Sequence, residues 1–191
     1  MNSSDSPILS RRTFVQAASV GAAATALNPA QSASVLATRA RQPSSSNLPE
    51  ISHRQVKANG IQMHIAEAGK GFPVICLHGF SELWHSWRFQ LPAIAAAGFH
   101  AIAPDQRGYG GTDAPKDIES YSMRHLTADI VGLIEALGAK QAVLVANNWG
   151  SGVAWACAQL YPERVAAMFH LNIPHCKARR RTADPVHREV R

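Results

Sequence analysis

From Ile61 to Ala66 the chain alternates residue by residue: Ile61, Met63 and Ile65 are apolar, and Gln62, His64 and Ala66 are set against them. A period of two is that of a half-buried strand. A strand-like run precedes it, and Asn59-Gly60 between them is the pair that tight hairpin turns favour. "PVICLHG" (73–79) is a short apolar run ending in glycine, the pattern of a strand buried on both faces. "SWRFQLPAIAAAG" (86–98) predicts a helix stopped at Gly98, and "FHAIAPD" (99–105) the next strand. Met123, Leu126, Ile130, Leu133 and Leu137 share one helical face, with Ser120 or Ser122 as the cap and Gly138 as the stop. "QAVLVA" (141–146), "GVAWACAQLY" (152–161) and "VAAMFHLNI" (165–173) then predict strand, helix, strand.

Strands alternating with helices predict an α/β architecture, a mostly parallel sheet with helices on both faces, opened here by the β-hairpin. Ligands in such sheets sit beyond the carboxyl ends of the strands. Those ends carry His78-Gly79-Phe80, the stretch from Asp105 to Gly110, and Asn147-Asn148-Trp149-Gly150. Three polar, glycine-rich stretches are expected to meet at one rim. In the last of them, a run of Val143, Leu144 and Val145 breaks sharply into a helix, the layout that presents a nucleophile.

Charge narrows the class of partner. The formal net charge is +6, yet residues 51–176 hold nine Lys or Arg against nine Asp or Glu. The excess lies in Arg11, Arg12, Arg39 and Arg41, and in a basic, irregular tail over 177–191. A nucleic-acid partner for the central part is therefore not expected. Cys76, Cys157 and Cys176 are too scattered for a disulfide framework, and Cys76 and Cys157 fall in runs where free cysteine acts as a small hydrophobe. No CxxC or His/Cys ligand spacing suggests a metal, and no cofactor is expected.

The first forty residues carry a different signal. "SRRTFVQAASVGAAATAL" places two arginines before an uncharged, alanine-rich run from Ala17 to Leu27, followed by small residues in "AQSASVLATRA". The run is shorter than the ~20 residues a membrane span needs. Ser-Arg-Arg-Thr-Phe-Val resembles the twin-arginine export signal. Residues 1–40 are thus expected to be a cleaved signal peptide, and 41–50 a linker. A periplasmic or secreted product with no membrane anchor after cleavage follows.

"HGFSELWHSWRFQ", "PDQRGYGGTDAP", "NNWGSGVAW…YPERV" and "LNIPH" together resemble the successive signatures of epoxide hydrolases in the α/β-hydrolase superfamily, from about Ile51 to Pro174. Related dehalogenases share most of the pattern. The resemblance implies a carboxylate on the elbow that attacks an epoxide carbon, with an ester intermediate then hydrolysed by water. It also implies an oxyanion hole of backbone N–H groups, from Phe80 after His78-Gly79 and from Trp149 after the elbow. The substrate it implies is a small apolar epoxide or a related compound.

Two departures fall inside this pattern. The family elbow reads Gly-His-Asp-Trp-Gly, whereas here Asn148 occupies the nucleophile position. Proline commonly follows the HGF motif, and here it is Ser81. The resemblance further implies a lid with two tyrosines and two last strands bringing an acid and a histidine. None of these motifs is found before Arg191, so the expectation is an incomplete α/β-hydrolase fold, with residues 51–176 its N-terminal part. Three readings follow: a truncated and inactive hydrolase, a non-catalytic binding protein on a hydrolase scaffold, or a hydrolase using Ser151.

Overall fold

The computed structural model describes residues 48–173. The leader expected over 1–40, most of the expected linker and the basic tail lie outside the described residues. Strand β1 (Ser52–Ala58) and strand β2 (Ile61–Ala68) pair antiparallel, Ala58 opposite Ile61. Asn59 and Gly60 close the hairpin with φ of 45° and 81°. Two consecutive left-handed residues give a turn whose twist matches that of the strands, and Asn and Gly adopt them at least cost.

Strand β3 (Phe72–Leu77), helix α1 (Gln90–Ala96), strand β4 (Phe99–Pro104), helix α2 (Met123–Ala136), strand β5 (Ala142–Asn147), helix α3 (Asn148–Leu160) and strand β6 (Val165–Leu171) follow. The sheet order is β1-β2-β4-β3-β5-β6. β4, β3, β5 and β6 run parallel, while β2 joins β4 antiparallel. This is the mostly parallel α/β sheet that the sequence pattern predicts.

Helices cover both faces. On one, Met63, Ile65, Ile75, Leu77, Ile102 and Leu144 pack under Leu126, Ile130, Leu133 and Ile134 of α2 and Val153, Ala154 and Cys157 of α3. At about 1.5–3 kcal/mol for each large apolar side chain removed from water, this stripe far outweighs the few tenths that β-branched Ile130 and Ile134 cost in a helix. On the other face, Ala66, Ala68, Ala101 and Ala103 with Val74 and Val143 leave room for Trp87, Leu91 and Ala95. β3 contributes to both layers, which is why its sequence is apolar without alternation.

Three local expectations need correction. Ala66 is buried rather than solvent-facing, because β2 pairs with β4 at that point and the α1 side covers it. The helix expected from residue 86 is two pieces, a 3-10 turn over Trp84–Trp87 and α1 from Gln90. Ser122 occupies the N-cap of α2, but its hydroxyl meets Nδ1 of His125 at 2.9 Å instead of a backbone N–H. Its carbonyl accepts from the N–H groups of His125 and Leu126.

The chain runs from β3 outward through α1 to β4, then crosses through α2 to β5 on the other side of β3. Connections leave β3 and β5 on opposite faces. The crevice at such a switch in strand order is where open α/β sheets bind ligands.

Candidate active site

At the end of β5, Asn147 is extended (φ −129°, ψ 156°) and Asn148, the first residue of α3, turns to φ +45°. A left-handed apex between a strand and a helix suits Asn, whose short polar side chain tolerates that backbone. The turn is held against its neighbour by two glycines. A Cβ on Gly150 would stand 2.6 Å from the carbonyl oxygens of both Leu77 and His78, and one on Gly79 2.8 Å from Cβ of Asn148. The elbow and the loop after β3 therefore touch backbone to backbone.

That contact sets the chemistry. Oδ1 of Asn148 accepts the N–H of Trp149 at 2.7 Å and the N–H of Phe80 at 3.3 Å. The two backbone donors named from the sequence converge on one side-chain oxygen. The N–H of Asn148 itself donates to Oδ1 of Asn172 at 2.9 Å, so the end of β6 braces the apex. Ser151 is buried and its hydroxyl donates to the carbonyl of Leu171 at 3.2 Å. It does not face the crevice as a nucleophile would.

His78 is fully buried, and both ring nitrogens are engaged. Nδ1 donates to the carbonyl of Gly79 at 2.8 Å, and Nε2 accepts the N–H of Gln106 at 3.0 Å. The Gln106 side chain returns a bond to the carbonyl of His78 at 2.7 Å. Burial lowers the His78 pKa below its ordinary value, against the opposing pull of the Gly79 carbonyl and the Asp105 and Glu82 carboxylates. A neutral imidazole with one donor and one acceptor fits both partners. His78 holds the loop in place and has no nitrogen left for a substrate.

Ser81 takes φ +60°, far from the fixed value near −65° that proline requires. The turn is closed instead by the N–H of Glu82 donating to the Gly79 carbonyl at 3.2 Å. Oε2 of Glu82 accepts from the N–H of Gly79 at 3.1 Å and from the Asn147 amide at 3.2 Å, joining loop to elbow. Burial disfavours its charge, but hydrogen bonds from Gly79, Asn147 and Ser86, with the nearby His78, outweigh it and hold the carboxyl below the usual range.

Beside the elbow lies a cavity of about 290 Å³, walled by Phe80, Trp149, Tyr109, Tyr121 and Leu126 above Gln106 and Arg107. The charge of Arg107 is taken up by Asp129 through two hydrogen bonds. Glu82, Gln106, Asp129 and Asn172 thus belong to the framework of the site without having been singled out in the sequence. Asp129 lies between the motifs, while Glu82, Gln106 and Asn172 lie inside motif stretches with no role of their own read there; only position against a distant segment gives each its role. His85 and His125 sit in a 3-10 turn and the first turn of α2, and His170 in β6.

A parallel sheet, a left-handed elbow between strand and helix, and a facing loop that adds a second N–H define the nucleophile-elbow class of α/β proteins. The family model described as alpha/beta hydrolase fold matches residues 73–186, and the chain belongs to that family. Within it the chain is similar to epoxide hydrolases. It is 50% identical over 123 residues to epoxide hydrolase A of Mycobacterium tuberculosis, covering 63% of this chain and 38% of that protein. It is 44% identical over 142 residues to bifunctional epoxide hydrolase 2 of Sus scrofa, covering 73% of this chain and 25% of that one. The crystal structure of an epoxide hydrolase from Vigna radiata superposes with a TM-score of 0.65 at 50% identity, covering 66% of this chain and 42% of that one. The chain therefore spans well under half the length of the relatives it matches.

Proposed function

We propose that this chain carries an epoxide-hydrolase-type site whose elbow no longer performs the attack. The reaction of this type adds water to an epoxide to give a diol, through an ester on an elbow carboxylate. The observation that carries the proposal is Asn148, whose Oδ1 takes both backbone N–H groups at the position of that carboxylate. Its amide has no negative charge, and its nitrogen lone pair is delocalised into the carbonyl. His78, beside it, is neutral with both nitrogens occupied.

The reading as a binding protein on a hydrolase scaffold is supported by the aromatic wall of Phe80, Tyr109, Tyr121 and Trp149 around the cavity. Such a wall suits a small apolar ligand, of the size and polarity of an aryl epoxide. We also retain export through the twin-arginine route, supported by Arg11-Arg12 and the uncharged run behind them.

The test is to incubate the chain with styrene oxide, an aryl ester and a haloalkane, following diol, phenol and halide release together with intact mass. No product and no mass increase are expected. Steady diol release would overturn the proposal, and halide release alone would favour a dehalogenase-type activity.

A further inference from the structure

Resting on that reading, we infer that Asn148 converts the elbow from an attacking acceptor into a hydrogen-bond donor, so that the site holds a neutral apolar ligand bearing a carbonyl oxygen. A side-chain amide has one acceptor atom and one doubly donating atom. At Asn148 their placement is decided by the surroundings, since Phe80 and Trp149 both present N–H groups to the same atom. Only oxygen can accept there; the opposite orientation would set donors against donors. Nδ2 is therefore turned away from the N–H pair, and it makes no hydrogen bond within the described residues. In a carboxylate the atom at this place would be the second, negatively charged oxygen.

Asn148 is exposed at the apex and does not itself line the cavity; it is tied to the cavity rim through Phe80 and Trp149, which do line it and whose N–H groups its Oδ1 accepts. Phe80 is 71% exposed and Trp149 43%, so apolar surface on both sides awaits a ligand body. An exposed donor is hydrated in the free protein; a ligand laid on this surface displaces that water and must return an acceptor, and a carbonyl oxygen accepts strongly. Charge disfavours a carboxylate ligand. Arg107 is the cation lining this cavity, and it is neutralised by Asp129 through bonds of 2.7 and 2.6 Å. Glu82, next to Gly79 and Asn147, is held ionised and adds negative potential on the loop side. A neutral ketone, ester or amide meets the donor without opposing that potential.

The experiment uses the full chain and three ligands of one shape: acetophenone, which accepts; ethylbenzene, which has no polar group; and benzylammonium, which only donates. Affinity is measured by calorimetry, with the side-chain ¹⁵N–H₂ resonances of Asn148 as a local probe. Acetophenone is expected to bind about tenfold more tightly than ethylbenzene and to shift those resonances downfield. Asn148→Asp, acceptor-only at neutral pH, is expected to invert the preference, favouring benzylammonium over acetophenone. The gain of benzylammonium binding distinguishes a changed site from an unfolded one. Equal affinity of the unmodified chain for acetophenone and ethylbenzene, no binding of either, or an Asn148→Asp variant that keeps the ketone preference would overturn the inference. Diol release from styrene oxide by the same preparation would instead remove the disabled-elbow reading beneath it.

Discussion

Arg107, on the loop after β4, and Asp129, on α2, meet through two hydrogen bonds, Nε to Oδ2 at 2.7 Å and Nη2 to Oδ1 at 2.6 Å. Their side chains are only 4% and 2% exposed, and Asn59 of the hairpin adds a third bond to Oδ1 at 2.8 Å. One buried carboxylate thus joins the hairpin, the rim loop and α2. Removing it leaves a guanidinium without a partner in the interior. Asp129→Ala is expected to lose about 3–5 kcal/mol of stability. Asp129→Asn, which keeps an acceptor, should lose less. Urea unfolding midpoints at constant slope measure both, and an Asp129→Ala protein as stable as the unmodified one would contradict the structure.

Gly150 and Gly152 lie two residues apart in α3 with opposite surroundings. A Cβ at Gly150 would press on the backbone carbonyls of Leu77 and His78, whereas one at Gly152 meets nothing within 4 Å. Neither takes a positive φ. Gly152→Ala is expected to stabilise by up to ~1 kcal/mol, from helix propensity alone. Gly150→Ala is expected to destabilise by about 1–3 kcal/mol because backbone must move to admit it. Thermal midpoints moving in opposite directions are the signature.

Stability should fall in mild acid partly through His78. Burial, its largest influence, holds the folded imidazole below its ordinary value, while the unfolded chain takes up a proton near about 6.5. Between those two values the unfolded state binds more protons, so stability rises with pH there. The contribution is intact above about 6.5 and is lost as pH falls through the lowered folded value. His78→Gln removes the titrating group. Its stability curve from about pH 5 to 7.5 should be flatter than that of the unmodified chain. A difference between the two curves that does not change with pH would refute the assignment.

Restoring the carboxylate should not restore turnover. Asn148→Asp supplies the attacking charge, but hydrolysis of the resulting ester needs a positioned general base. His78 is engaged at both nitrogens and sits in an environment that keeps it neutral. The expected outcome with an activated aryl epoxide is a slow mass increase equal to one epoxide, without steady diol release. Multiple turnovers by Asn148→Asp would show that another group in the chain activates water.

The proposed export rests on the arginine pair ahead of the alanine-rich run. Replacing Arg11 and Arg12 with lysine should retain the precursor in the cytoplasm, while the unmodified chain is cut between about residues 32 and 40. Immunoblots of cell fractions read both. Unchanged export of the lysine variant would defeat the assignment.

Much of the architecture was legible along the chain because faces are encoded locally. Asn59-Gly60 specifies its own left-handed turn, the alternation of Ile61, Met63 and Ile65 specifies which side of β2 is buried, and the α2 stripe specifies a helix face. Asn148 likewise marks its own bend, since few other residues tolerate φ +45°. Partners are not encoded that way. That β5 lies beside β3 rather than β4 depends on which faces the helices cover, and with it the meeting of Phe80 and Asn148, 68 residues apart. Ala66 is apolar by type and solvent-facing by period, yet pairing with β4 buries it. Glu82, Gln106 and Asn172 fall inside quoted motifs and Asp129 between them, yet none has its role written locally, because a hydrogen bond's role depends on the group at its far end. The sequence by itself determined the elements, the elbow and the missing charge at its apex. Only tertiary packing decided that two N–H groups would claim the amide oxygen and leave its nitrogen without a partner among the described residues.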